Sequence, residues 1–581
     1  MKTPKLLLIA ATVAGLLGSS VHVAEAAKKS SKDLQIEALE RRLRLLEERL
    51  SAVDGGQAGK LPGAGKVAEA DAPTVKQLDQ KVKIIERKME VEKEATASKW
   101  ASFPKNVELG TQGLRVVSSD QNFIMYLRAL IQADGRFFMD DSHANDLTNP
   151  NGDSSVDQFQ MRRVRPIFEG TVWKWFDYRI MPDFGMGTTR LFDAYADLRY
   201  FREASLTAGK FKAPVSLERL QSATALAFVE RAYPTQLAPN RDVGLMLHGE
   251  FDKPGYPTDF SKLERNQTRA GNFPLYMYPE FISYQLAVTN GSRNNGNIDS
   301  DTNDSKEFQG RLFAHPFLHT GLEAVEGLGI GMAGTWGQPN GDLLSNYQTP
   351  GLNNMFVYSA LARSNGTQYR LYPQGYWIWG PFQLVGEYAY SSTDLSSLSL
   401  FPSTASNPVN TINGPRNIAR YGTNVDDQAW NVTVSYMLTG EENVFLRQGI
   451  RPRHEFDPMY GIRPDKPFNP AEGHWGAFQV AARWTYMDFD NAVFQNVGTR
   501  SSPVYPFADP RLSVSEATTW ALGVNWWLNP NVKLMADYSQ TSFNGGGGSF
   551  DINRRGVITL SPLTVSREME KVFSTRIQLG F

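Results

Sequence analysis

From about residue 123 to the C-terminus, apolar and polar side chains alternate with a period of two. In the stretch FIMYLRALIQAD, Phe123, Met125, Leu127, Ala129 and Ile131 share one face, while Arg128, Gln132 and Asp134 take the other. FDAYADLRYF places Phe192, Ala194, Ala196, Leu198 and Tyr200 opposite Asp193, Tyr195, Asp197 and Arg199. Successive side chains of a strand point to opposite faces, so each run predicts a strand with one apolar and one polar surface. GLMLHGEF, ISYQLAVTN, FQLVGEYAYS, FQVAARWTYMDF and TWALGVNWWLN repeat the pattern. About sixteen strands of roughly ten residues fit the chain, which predicts an all-β fold: a transmembrane antiparallel 16-stranded β-barrel with its apolar face toward lipid.

The connections sharpen this picture. Tight turns near Trp173 to Phe176, Arg202 to Ala204, Gly380-Pro381 and Asn529-Pro530 alternate with long polar loops. The loops fall near Asp140 to Asp157, Pro214 to Asp242, Gly337 to Gly366, Ser391 to Asp427 and Phe489 to Ser513. Short turns on the periplasmic side and long loops outside are the expected asymmetry of an outer-membrane barrel. The aromatic groups WKWF, GYWIWGPF and NWWLNPN sit beside the tight turns, where an interfacial girdle belongs. Two connections on the short side, near Asp252 to Pro279 and Gly440 to Gly473, are longer than this scheme explains.

Ahead of the strands the period is 3.5. Ile36, Leu39, Leu43, Leu46 and Leu50 form one heptad seam, and Val75, Leu78, Val82, Ile85 and Met89 a second, with the linker DGGQAGKLPGAGK between them. Helices this short are marginal alone, so they are expected to associate with copies of themselves or to close into one helical hairpin. The first residues carry Lys2 and Lys5, an apolar run from Leu6 to Leu17 and the small-x-small site Ala24-Glu25-Ala26, the pattern of a secretory signal peptide. The expected organisation is a signal peptide over 1–26, a short N-terminal helical coiled-coil segment in the periplasm over 27–99, and the barrel over 100–581.

Composition narrows the chemistry. A net charge of −1 excludes a basic nucleic-acid binder, and with no cysteine the exported chain is stabilised without disulfides. After Trp100, arginine outnumbers lysine by about three to one. A guanidinium presents paired N–H donors that match carboxylate and phosphate oxygens. In QMRRVRPIFEG, Val164, Pro166 and Phe168 share the lipid parity, while Arg163, Arg165 and Glu169 share the lumen parity. Arg162 has the wrong parity for a lumenal residue. An arginine at the bilayer midplane of a barrel costs on the order of 2–4 kcal/mol, so Arg162 belongs above the lipid band, at a bulge or against a neighbouring subunit. Lumenal arginines beside Glu169, Asp193 and Asp197 would brace the wall as ion pairs or line a passage for anions; several together favour passage. His248, His315, His319 and His474 show no spacing with a serine or acid that would make a hydrolase, and no enzyme activity, cofactor or metal is expected.

Taken in order, MRRVRPIFEGT, DYRIMPDF, FDAYADLRY, AGKFKAPVSLERLQS and NRDVGLMLHG, then WNVTVSYMLTGE, GAFQVAARW and LGVNWWLNPNVKL, resemble the phosphate-selective porin O and P family. The resemblance covers nearly everything after about Gly110 and implies a trimeric outer-membrane barrel with long loops folded into the channel. It further implies a constriction made by Arg162 and Arg163, Asp193, Arg219 and Ser222; the lumenal parity of Arg165 adds that residue. The FSTRIQLGF terminus, ending on Phe581, resembles the assembly signal of bacterial outer-membrane proteins. Three positions depart from the phosphate-binding pattern: Leu130 where a first-strand arginine stands, with Arg128 two residues earlier; Ala223 where a second loop hydroxyl stands; and Arg219 where lysine is usual. The implied function is passive uptake of phosphate, polyphosphate, chloride or similar small anions by a homotrimer embedded in outer-membrane lipid. The alternative is a general diffusion porin whose coiled coil tethers the membrane to peptidoglycan or another envelope layer.

Overall fold

The computed structural model describes residues 106–581 apart from 140–155, 256–268, 275–279, 403–408, 442–463, 553–557, 561–565 and a few shorter gaps, together with four residues between 83 and 88. The chain divides into two units, Met1–Ala97 and Ser98–Phe581. In the first, Lys83, Ile84, Arg87 and Lys88 are helical and exposed. The signal peptide and the heptad positions of both seams lie outside the described residues.

In the second unit the period-two pattern becomes sixteen barrel strands. These are β1 (Ile124–Phe138), β2 (Gln158–Val172), β3 (Phe176–Asp183), β4 (Arg190–Leu198), β5 (Ser205–Lys212), β6 (Arg241–Phe251), β7 (Ile282–Thr289) and β8 (Glu307–Ala314). The second half holds β9 (Leu328–Gly337), β10 (Arg363–Trp379), β11 (Phe382–Pro402), β12 (Gly414–Met437), β13 (Ala477–Asp488), β14 (Val514–Trp527), β15 (Val532–Gly545) and β16 (Glu570–Gly580). Each strand pairs antiparallel with the next, and β16 pairs with β1 from Val572 opposite Phe138 to Gly580 opposite Leu130, which closes the barrel. Closure leaves no sheet edge, so the backbone is satisfied without a helical span, and no helix among the described residues is long and apolar enough to cross a membrane. On β13, Val480 and Trp484 face outward and are exposed, whereas Gln479, Arg483 and Thr485 beside them are buried.

The turns β2–β3, β10–β11 and β14–β15 are short, and Trp173, Trp175, Phe176 and Trp379 stand exposed beside them. The long connections 252–281 and 438–476 lie at the same end of the barrel and fall largely outside the described residues. At the other end one expected loop is mostly strand: β11 and β12 stay paired beyond Ser391 and Asp427, out to Pro402 opposite Arg416. A hairpin that has left the lipid needs no apolar outer face, so its ladder continues where the sequence alternation stops. Among the described residues, the β5–β6, β9–β10 and β13–β14 connections at this end pack together. Tyr233, Tyr347, Phe356, Phe489 and Phe507 are buried in one apolar cluster, with the Phe356 and Phe489 rings stacked at 4.1 Å.

A short hairpin, Val107–Gly110 with Gly113–Val117, precedes β1 and uses the same edge of β1 as β16 does. The hairpin pairs with Ile124 to Leu127, and β16 takes over from Leu130. Between them Ala129 exchanges two backbone hydrogen bonds with Phe581, of 2.7 and 3.1 Å. The Asn531 side chain ties Thr111 O (2.8 Å) to Gly580 O (2.7 Å).

Candidate functional site

The β1–β2 register runs regularly to Gln132 opposite Arg163, then jumps to Ala133 opposite Met161. Arg162 is the extra residue of a β-bulge. That resolves its wrong parity: the bulge turns two consecutive arginines into the lumen, while Met161 and Val164 keep to the outside. The end of β3 packs on this irregularity. Phe184 N donates to Val164 O (3.0 Å), and a Cβ on Gly185 would lie 2.6 Å from Arg162 O, so glycine is needed for the close approach.

A second bulge lies on β4, where the register jumps from Met181 opposite Asp193 to Pro182 opposite Leu191. Phe192 is the extra residue, and this corrects its expected place on the lipid face. Its ring carries the Arg165 guanidinium at 4.4 Å and the Arg241 guanidinium at 4.5 Å, so an aromatic face braces two lumenal cations. Asp193 beside it accepts from Arg241 Nε at 3.0 Å and lies 3.4 Å from Arg179 Nε.

Most arginines of this wall are matched to acids. Glu169 takes Arg128 (2.7 Å) and Arg179 (2.8 Å), and Asp183 takes Arg165 (2.7 Å). Arg136 and Arg576 share Asp134. Arg163 differs. It is buried, donates to the neutral Gln132 Oε1 at 2.6 Å, and has no ion pair among the described residues. Gln132 passes the contact on, with its amide donating to Ala223 O at 3.1 Å.

Ala223 belongs to the third connection on the long-loop side, residues 213–240, which crosses the lumen. Its backbone carbonyls accept from Gln374 on β10 (at Val215), Gln578 on β16 (at Thr224), Lys533 on β15 (at Leu226), Asn525 on β14 (at Ala227) and Arg483 on β13 (at Glu230). On β11, Glu387 accepts from Ser216 Oγ and Leu217 N, fixing the start of the one-turn helix Leu217–Leu220. The most heavily paired electrostatic anchor is Glu230. Arg162 holds it with two hydrogen bonds, of 2.7 and 3.0 Å, and Arg136 adds a third at 2.7 Å. Burial acts to raise this carboxyl, but the Arg162 and Arg136 guanidiniums outweigh it and hold it well below the usual carboxylate range.

The six expected residues are therefore only partly gathered. Arg162, Arg163, Arg165 and Asp193 occupy one wall across β2 and β4. Arg219 lies in the crossing loop, where it donates to Thr235 O and to Asn295 Oδ1 (2.7 Å); Ser222 bonds the Thr224 hydroxyl at 2.8 Å. Neither makes a hydrogen bond to the wall arginines. A small pocket opens between the loop and β13–β16, lined by Phe228, Glu230, Arg231, Tyr233, Arg483 and Asp537 among others, and none of the six lines it. Sequence reasoning missed Glu230 as the partner of Arg162, and Phe192 as a lumenal ring. No cluster of metal-binding side chains occurs among the described residues.

Leu130 and Ala223, the two apolar departures, meet. They form one buried cluster with Ile167 and Met181, against which Phe192 packs.

A family model described as phosphate-selective porin O and P matches residues 131–544. No curated protein matches the chain. Similar solved structures include OmpT of Vibrio cholerae, 8% identical with a TM-score of 0.40 over 80% of this chain and 100% of that one. The outer membrane channel DcaP of Acinetobacter baumannii is 8% identical with a TM-score of 0.40 over 80% and 99%. An anion-selective porin from Comamonas acidovorans is 8% identical with a TM-score of 0.39 over 79% and 100%.

Proposed function

The chain belongs to the phosphate-selective porin O and P family, and from that premise we propose that it is a passive, anion-selective channel of the outer membrane, working as a homotrimer. It is a porin rather than an enzyme. The observation that carries the selectivity is the pair of bulges on β2 and β4, which crowd Arg162, Arg163 and Arg165 against a loop that crosses the lumen. Cationic side chains at a narrowing raise the local concentration of anions and set the sign of selectivity. Ion pairing tempers this field, because Arg162 and Arg165 are matched by Glu230 and Asp183; Arg163 and Arg219, bonded to neutral acceptors, contribute to what is left. The permeant class is small anions, phosphate and chloride among them. The heptad segments of residues 27–99 support trimer formation, since three N-termini gathered at one face raise their effective concentration for a coiled coil.

The test is a planar bilayer under a potassium chloride gradient. A reversal potential set by chloride is expected. One set by potassium would overturn the proposal and leave the arginines as braces of a general diffusion pore.

A further inference from the structure

We propose that the tip of the β9–β10 connection is a flap across the mouth on the long-loop side, latched by Glu570 and released to admit solute. The inference goes beyond the anion-channel reading and does not depend on the sign of selectivity.

The connection reaches the far wall. It leaves β9 and returns to β10, yet its tip docks on β1 and β16, with seven strands between β1 and β9 and five between β10 and β16. The carboxylate of Glu570, the first residue of β16, accepts from Thr349 Oγ1 (2.9 Å), Gly351 N (3.2 Å) and Asn353 Nδ2 (2.7 Å). Arg136 on β1 donates to Pro350 O at 2.6 Å, and Arg567 to Asn354 O at 2.8 Å. On its way the connection lies on the loop that crosses the lumen: Gln348 N donates to Gln236 Oε1 (2.8 Å), and Gln236 Nε2 to Gln348 O (2.7 Å).

Base and tip are held by different forces. Tyr347, Met355 and Phe356 are buried in the apolar cluster that joins the connections to inward residues of β9–β14. Residues 349–354 dock through the hydrogen bonds above. Water at the mouth replaces such bonds at small net cost but cannot replace apolar burial, so the tip lifts while the base stays. The tip is also fitted to its docked position. A Cβ on Gly351 would lie 2.7 Å from a Glu570 carboxylate oxygen and 2.8 Å from the Phe138 ring. Leu352 sits at φ 67°, a left-handed conformation that leucine disfavours and that docking must hold in place.

Pro350 roofs the small pocket between the crossing loop and β13–β16, whose lining includes Arg231, Arg483 and Ser574. Lifting the tip gives that pocket an opening toward the mouth.

The chain has no cysteine, so Ser574→Cys places a single thiol beneath the flap. The full-length protein in liposomes is treated with a negatively or a positively charged methanethiosulfonate, and the modification rate is read as gain in protein mass. Gly351→Ala, which wedges the tip off Phe138, and Glu570→Ala, which removes the latch, should each raise the rate about tenfold for both reagents. Asn353→Cys with Glu570→Cys, oxidised to a disulfide verified by loss of free thiol in a channel that keeps Ser574, should lower conductance in a planar bilayer, and reduction should restore it. Rates unchanged by both release variants, or a disulfide that leaves conductance as it was, would overturn the inference. A positively charged reagent reacting faster than the negative one, with the effect of the variants intact, would defeat the anion-channel reading and leave the flap standing.

Discussion

Arg162 and Glu230 are joined by two hydrogen bonds between a bulge on the wall and the middle of the loop that crosses the lumen. With Arg136 and Arg576 also near Glu230, at 2.7 and 3.7 Å, one loop carboxylate serves three guanidiniums of β1, β2 and β16. Removing it strands Arg162 and leaves Arg136 and Arg576 with Asp134 to share. Losing one partner of a buried ion pair costs on the order of 3–5 kcal/mol, and the barrel ladders do not depend on this contact. Glu230→Gln is therefore expected to leave a closed barrel with an undocked loop. Limited trypsin digestion should gain a cleavage after Arg231, and single-channel conductance should rise; a variant with unchanged conductance and protection would show that backbone contacts alone hold the loop.

The pH response follows from the same residue. The folded Glu230 carboxyl is held well below its ordinary value, so it contributes to loop docking at every pH above the ordinary glutamate range of about 4.3. That contribution is lost as pH falls through the depressed folded value. Conductance should accordingly stay flat from neutral pH down through the ordinary glutamate range, and step upward only at more acid pH. A step centred near pH 4 to 5 would contradict the arrangement.

Charge reversal tests together two arginines that donate to neutral acceptors. Arg163→Glu with Arg219→Glu is expected to reduce or reverse anion preference, measured as the shift in reversal potential. The unmutated preference should weaken as ionic strength passes about 0.1 M, where the Debye length is ~10 Å. Selectivity indifferent to both salt and charge reversal would show that field lines from these groups do not reach the permeant ions.

Deletion of residues 28–99 separates pore from tether. Ion selectivity is expected to survive it, while trimer yield in gentle detergent falls as the heptads are lost. Blebbing of the outer membrane in the deletion strain, with solute uptake unchanged, would assign the segment to envelope attachment.

Strands were legible because lipid on one side forces an apolar residue at every second position, a demand that Val480 and Trp484 display plainly. The bulges were legible only by contradiction. Arg162 betrayed one by standing at the lipid parity, where a charge has no place; Phe192 hid the other, since phenylalanine suits lipid as well as an arginine-lined lumen. Glu230 could be seen as a charged loop residue but not as the partner of Arg162, because that contact spans 68 residues and depends on where the loop crosses. The β11–β12 extension was invisible for the opposite reason: outside lipid, a paired strand of serines and threonines looks like a loop.

The hairpin before β1 has a consequence for how the barrel reaches its final size. It occupies the lower part of the edge that β16 must dock on, and Phe581 halts against Ala129 just above it. A closing strand that slid one residue further would collide with the hairpin, and a slip of one residue would also turn every lumenal group of β16 to the outside. The stagger accumulated around a closed sheet sets strand tilt and bore. The hairpin thus acts as a stop for the closing strand, so that the diameter through which ions pass is gauged by two short strands, Val107–Gly110 and Gly113–Val117, set beside the sixteen of the barrel.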